Sequence, residues 1–201
     1  MKRKNPAPDR RVQRTQKALR EALLQLLKTC PLQKIAVTKL CEQSDLNRTT
    51  FYTYYSDPTD LFNSIVDEVI ERLEMGIRDC FATNSFAELF GGITQRIFED
   101  RELYCILYSA RSDINFMQRL SALRHGNPFP QFFQTAEYRP ELLESLMLFL
   151  LNGCNGIIQQ WILGDFREPP EEIAYNMQLF CTSALFGLSD AKKYLTAAEN
   201  G

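Results

Sequence analysis

Residues 38–61 read TKLCEQSDLNRTTFYTYYSDPTDL, and three helix starts with one tight turn fall inside them. Thr38 can cap a short helix that carries Leu40 and Cys41 inward, since a threonine hydroxyl accepts from the unpaired N–H groups of a first turn. Ser44-Asp45-Leu46 reads as a turn. Asn47 then caps a second short helix, Arg48 to about Tyr54, anchored by Phe51. Asp57 as cap, Pro58 at the first helical position and Asp60 two residues on make a strong start for a third helix. The two short helices cannot be stable alone, so the sequence predicts that tertiary packing holds them.

Upstream, Leu19, Ala22, Leu23, Leu26 and Leu27 recur at helical spacing while Arg14, Lys17, Arg20, Glu21 and Lys28 take the opposite face. This is an amphipathic helix from Arg10 that Pro31 ends. Residues 1–9, with Lys2, Arg3, Lys4, Pro6 and Pro8, read as a mobile basic arm. Downstream, the helix opened at Pro58 runs to about Phe81, and Phe86–Phe98 and Leu103–Tyr108 read as two helices divided by Glu99–Glu102. Ile114–Leu123 reads as another, closed by Gly126-Asn127-Pro128. Pro140 opens a long apolar helix that stops at Gly164-Asp165, and Pro169-Pro170 opens the last, carrying apolar residues to Leu188. The expected fold is all-α. An N-terminal three-helix helix-turn-helix domain (10–57) follows the arm (1–9) and joins a larger helical-bundle domain (58–201).

The 201 residues, 45% apolar and 24% charged, suit a globular chain with a sizeable core. A net charge of −2 argues against nucleic acid only as an average. Residues 1–56 hold 12 Lys+Arg against 4 Asp+Glu, a balance of +8, and residues 57–201 hold 11 against 21, a balance of −10. Such asymmetry points to a polyanion-binding end, the alternative being a solvated basic tail. Six cysteines stand singly without metal-ligand spacing, and His125 is the one histidine. Free thiols at apolar helical positions imply a reducing cytoplasm. Met1–Arg11 lacks the apolar core of a signal peptide, and Leu142–Leu163 is interrupted by Glu144, Asn152, Asn155, Gln159 and Gln160, too polar for a spanning helix. The expectation is a cytoplasmic protein with no membrane segment, no metal and no cofactor.

Two short capped helices around a tight turn, inside the basic quarter, form the arrangement of a helix-turn-helix DNA reader. Its second short helix would enter the major groove with its N-terminal residues at the base edges. Arg48 can pair with guanine O6 and N7, and the methyl groups of Thr49 and Thr50 can pack on thymine. Tyr52 and Tyr54 offer hydroxyls to phosphates, contacts that fix register without reading sequence. Both helix N-termini present N–H groups to phosphate. On spacing alone, a short helix pair whose tyrosines close a core stays open as an alternative.

These residues also carry a resemblance. Thr38–Leu61 resembles the DNA-binding domain of the TetR (tetracycline-repressor-like) regulators, the match extending over about residues 10–75 and being densest at Asn47-Arg48-Thr49-Thr50-Phe51-Tyr52-Thr53-Tyr54-Tyr55. The resemblance implies a homodimeric, effector-responsive transcription factor on a palindromic operator, usually a repressor. It assigns Thr38 and Lys39 to contacts at the start of the second helix, Asn47 to its capping position, Arg48, Thr49 and Thr50 to the reading segment, Tyr52 to a phosphate and Tyr54 to the place of a frequent histidine. Two departures stand out. Asp45 replaces the usual turn glycine, tolerable because Asp visits left-handed backbone more readily than most residues. Pro58 replaces a frequent lysine, leaving Lys2, Arg3, Lys4 or Arg10 to supply that phosphate contact. Asn152-Gly153-Cys154-Asn155-Gly156-Ile157-Ile158-Gln159-Gln160-Trp161, followed by Pro169-Pro170-Glu171-Glu172-Ile173, is similar to the subgroup that includes the dihydroxyacetone-kinase regulator. A member type there activates with a partner protein.

A two-fold operator requires a fixed distance between two reading heads. The candidate dimer interface is formed by Leu143, Met147, Leu150, Cys154, Ile158 and Trp161 on the helix from Pro140, with Met177, Cys181, Ala184 and Leu188 on the last helix. The unbroken apolar run Leu146–Leu151 exceeds one buried stripe, and Gly153 and Gly156 permit close approach. Phe86, Phe90, Phe98, Tyr104, Tyr108, Phe116 and Met117, with Arg111, Arg119 and Asn152, are core residues or line an effector cavity, and none is singled out. The expected partners are double-stranded DNA, a second copy, and a small-molecule effector or protein co-regulator acting through the helix from Pro58. Other readings are an activator working with a co-activator, a partner-binding protein whose head no longer binds DNA, and an all-α enzyme, the last poorly served by one histidine.

Overall fold

In the computed structural model, which describes residues 10–83, 85–109, 116, 119 and 140–199, the regular elements are eight α-helices and one 3₁₀ turn, with no strand among the described residues. They are α1 (Arg10–Leu27), the 3₁₀ turn Leu32–Lys34, α2 (Val37–Ser44), α3 (Arg48–Tyr54), α4 (Pro58–Thr83), α5 (Phe86–Glu99), α6 (Arg101–Leu107), α7 (Pro140–Leu163) and α8 (Pro170–Glu199). Most of the predicted helix Ile114–Leu123, the turn at Gly126-Asn127-Pro128, His125, Arg111, Met117 and the arm 1–9 lie outside the described residues.

The described residues of Met1–Glu71 and Ile106–Phe116 make one compact unit, and those of Arg72–Cys105 and Met117–Gly201 a second. In the first, α1 packs on α2 and α2 on α3. The predicted inner stripe of α1 is the buried one: Leu19, Ala22, Leu23, Leu26 and Leu27. Leu19, Leu23, Leu40, Phe51, Leu61, Phe62 and Ile65 are at most 1% exposed. Burying one such side chain is worth about 1.5–3 kcal/mol, which is how two helices of one to two turns become stable. Arg20 of α1 pairs with Glu68 of α4, a bridge with one exposed partner and therefore worth about 0–1 kcal/mol.

In the second unit α8 packs on α5 and on α7. Phe90, Ile97, Met147, Ile158, Trp161, Ile162, Ile173, Met177 and Cys181 are buried there. The α7–α8 joint is where backbone strain is found: Asp165 and Phe166 hold φ of 61° and 54°, a left-handed conformation costly for a bulky residue. An aromatic triad holds it. Phe166 lies edge-on to Trp161 at 5.0 Å and to Phe98 at 6.0 Å, while the Trp161 indole N–H donates to the Glu168 carbonyl at 2.8 Å. Gly164 precedes the joint, where a Cβ would stand tightly at 3.0 Å from the Gln160 carbonyl oxygen.

Two element boundaries differ from expectation. The polar divider before α6 shrinks to Asp100, because helices tolerate Arg101 and Glu102 in a first turn. The last helix continues past Leu188 to Glu199. Glu144–Leu163 is long and apolar enough to cross a membrane by length and composition alone, despite the polar residues that interrupt it. Its Met147, Leu150, Ile158, Trp161 and Ile162 are nevertheless packed into the chain.

Candidate nucleic-acid interface

The turn between α2 and α3 sets the geometry. Asp45 adopts φ 53°, ψ 41°, its N–H reaching the carbonyls of Cys41 and Glu42, and the Leu46 N–H donates to the Cys41 carbonyl at 3.0 Å. This is a left-handed closure with a six-to-one hydrogen bond, normally made with glycine. Asp45 supplies it at the cost of a small steric penalty, as its αL tolerance predicts.

Asn47 follows with an extended backbone, and its side-chain oxygen accepts from the Thr50 N–H at 2.7 Å. The cap leaves Arg48 and Thr49 in the first turn of α3 with exposed side chains, and Thr50 half-buried. Phe51 points the other way and is fully buried. Tyr52, 52% exposed, stands edge-on to Phe51 at 5.4 Å. Tyr54 and Tyr55 are half-buried, their ring centroids 6.5 Å apart, and Tyr55 also lies 6.0 Å from Phe51. The aromatic run therefore divides. Phe51 is core, Tyr55 bridges, and Tyr52 faces out.

The start of α2 departs from the sequence reading. Ala36, extended and without a side-chain cap bond, precedes the helix, which opens at Val37. The cause lies just before it: Ile35 is buried, and the first helical bond joins the Leu40 N–H to the Ala36 carbonyl at 3.1 Å. Thr38 is thus not the cap. Thr38 and Lys39 instead occupy the first turn with exposed side chains. No signal in the sequence marked Ala36, which has no side-chain acceptor.

Arg48 acts electrostatically within the same unit. Burial pushes the Cys41 thiol up, and the Arg48 charge works partly against it. Asp57 caps α4 through a 2.9 Å bond from the Asp60 N–H, and the Asp60 carboxylate accepts from the Ser56 N–H at 2.8 Å. Asp57 thus caps the helix, and Asp60 ties the preceding residue Ser56 back onto its first turn.

The residues expected at a dimer interface fall into three groups. Met147, Leu150, Ile158, Trp161, Met177 and Cys181 are buried inside the single chain, and Cys154 and Ala184 are half-buried. The side chains of Leu143 and Leu188 lie outside the described residues. The buried six belong to one chain's own core and present no free face. The outward apolar residues are Leu142, Leu148, Phe149 and Leu163 on α7 and Tyr175, Leu179 and Phe180 on α8. The excess of apolar residues in 146–151 signalled a second face, but periodicity could not say which side faced in. Among the effector candidates, Phe90 and Phe116 are buried. Phe86, Phe98, Tyr104, Tyr108 and Arg119 are half-buried, and Asn152 is exposed, donating to the Leu148 carbonyl of its own helix at 2.7 Å. Among the described residues, no three His, Cys, Asp or Glu side chains converge as metal ligands would.

Comparison with known proteins locates this arrangement. Residues 84–183 match the TetR-type family described as a transcriptional regulator C-terminal region. No curated protein sequence matches. Among solved structures, a TetR transcriptional regulator from Streptococcus agalactiae is similar with TM-score 0.62 and 20% identity, over 86% of this chain and 96% of that one. The fatty acid degradation regulator FadR from Bacillus halodurans is similar with TM-score 0.65 and 15% identity, over 93% and 98%. The dihydroxyacetone kinase operon activator DhaS is similar with TM-score 0.60 and 17% identity, over 84% and 94%.

Proposed function

This chain belongs to the TetR family of transcriptional regulators, and on that premise we propose that it is a cytoplasmic, homodimeric repressor whose α3 reads a palindromic operator. One observation carries the reading: the Asn47 cap exposes Arg48 and Thr49 at the leading end of a helix whose opposite face is pinned by buried Phe51. A rigid helix end with a guanidinium at its tip matches the acceptor pair on guanine in the major groove. Thr50 completes the reading segment beside them. Around it, Thr38 and Lys39 in the first turn of α2, the free N–H groups of that turn, and Tyr52 and Tyr54 address phosphates. The reader is assigned to residues 10–57, whose +8 partner residues 1–56 supply attraction to the polyanion.

The second copy is assigned to the outward stripe. Leu142, Phe149, Gly153, Gly156 and Leu163 follow one another at helical spacing on α7, and Tyr175, Leu179 and Phe180 extend the apolar surface on α8. A Cβ at Gly153 or Gly156 would meet nothing within 4 Å, so these glycines leave room for another backbone. Residues 58–201 then form the body that holds two heads about one helical turn of DNA apart, near 34–36 Å. An effector acts there by its difference in affinity for the DNA-bound and free states. The protein performs no catalysis in this reading.

The test is titration of purified protein onto duplex DNA at rising salt. Counterion release predicts a steep linear fall of log affinity with log salt, and a flat response would exclude phosphate-dominated binding.

A further inference from the structure

Two thiols meet in the second unit. Cys154 on α7 and Cys181 on α8 place their sulfurs 3.4 Å apart in a part-buried contact, and both are free thiols. Their positions are 27 residues apart in the chain, so the tertiary packing of α8 on α7 alone brings them together. Cys181 is 4% exposed and Cys154 is half-buried. A disulfide needs a sulfur separation of about 2.0 Å, so its formation draws the two sulfurs closer by about 1.4 Å.

We propose that Cys154 and Cys181 are a redox modification site that a hydroperoxide converts to an intrachain disulfide. Burial and the shared S–H···S contact perturb both thiols, and either sulfur can serve as the attacking thiolate with the other as the resolving thiol. In the first step one of the two sulfurs attacks the peroxide. For hydrogen peroxide the O–O bond breaks, that sulfur becomes a sulfenic acid, and the hydroxide that leaves takes a proton to become water. In the second step the other sulfur displaces the sulfenic hydroxyl, which leaves as water with that thiol's proton, and the S–S bond forms. The two sulfurs together lose two electrons and the peroxide gains them. The burial of Cys181 and the partial burial of Cys154 favour an oxidant as small as hydrogen peroxide over a bulky disulfide such as oxidised glutathione, whose exchange requires approach along the S–S axis. The product ties α7 to α8, and reduction by a dithiol restores the free pair.

The experiment uses the full-length reduced protein treated with hydrogen peroxide, then alkylated, digested and mapped by mass spectrometry. The expected result is a two-hydrogen mass loss in the intact chain and a peptide pair joined through Cys154 and Cys181, reversed by dithiothreitol. Cys105→Ser, removing an exposed thiol elsewhere, should retain the cross-link. Cys154→Ser and Cys181→Ser should each abolish it, and the variant that keeps the attacking thiol should accumulate an oxygen adduct there, which a merely structural cysteine would not acquire. Linkage of either residue to another cysteine, a covalent dimer through either one, or unchanged alkylation of both after peroxide would each overturn the proposal. The wild-type map decides even if a variant folds poorly.

Discussion

The two compact units are built from the same element but differ in where their large apolar side chains finish. In the unit that carries α1, α2 and α3, Tyr52 is the single large apolar residue that stands exposed among the described residues up to Glu71. In the unit that carries α7 and α8, seven large apolar residues on those helices face outward. The first has closed its core and keeps its polar, basic surface for a ligand that is itself highly charged. The second has filled a core and still has apolar area left, the condition in which a protein surface is completed by a partner. The difference teaches that the first unit covers its own core, whereas the second leaves the apolar area to which the proposed pairing is assigned.

The comparison can be broken most forcefully at Phe51. Phe51→Ala empties the centre of the first unit and should cost about 3–5 kcal/mol, read as a fall in the denaturation midpoint; a loss below about 1 kcal/mol would show that this core does not hold the reading helix. Next comes the outward face. Phe149→Glu, a charge on the proposed pairing stripe, should leave the helical signal intact while the sedimenting mass falls from twice 23.3 kDa to 23.3 kDa. An anchor of this kind is worth at least about 2 kcal/mol of association, and an unchanged dimer would move the interface elsewhere.

Arg48→Ala separates reading from folding. The exposed side chain should leave stability unaltered while operator affinity falls by about 1–3 kcal/mol, with specificity relaxed at one base position. A uniform loss across all sequences would make Arg48 a phosphate contact. Asn47→Ala should cost about 1 kcal/mol by removing the cap on the Thr50 N–H, measured by urea denaturation; no change would mean that solvent satisfies that group equally well. The smallest effect is expected of Asp45→Gly, which relieves a positive φ and should stabilise by a few tenths of a kcal/mol up to about 1. A destabilised variant would show that the Asp45 side chain, and not its backbone, closes the turn.

Legibility in the sequence follows the same division. The head could be read because its signals are local. Asn47 and Asp57 cap through their own side chains, and Asp45 takes the one backbone region that Asp tolerates and most residues avoid. The helix start at Ala36 escaped because it is fixed by burial of Ile35, a tertiary event with no mark on the residue that caps. The body was legible as helices from its prolines and from Gly164-Asp165, but not in its facing. Met147 and Phe149 are equally apolar neighbours, and only the packing of α8 decides that one goes in and the other out. The Cys154–Cys181 contact was hidden for the same reason, since singly spaced cysteines reveal nothing of the fold that joins them.

The central claim is that two copies of α3 read one symmetric site. Selection of binding sequences from random duplex DNA by the purified protein tests it directly, reporting binding, symmetry and spacing together. The expected result is enrichment of an inverted repeat whose half-sites lie about one helical turn apart, or a multiple of it. Failure to enrich any sequence, or enrichment of a lone half-site without its inverted partner, would contradict it.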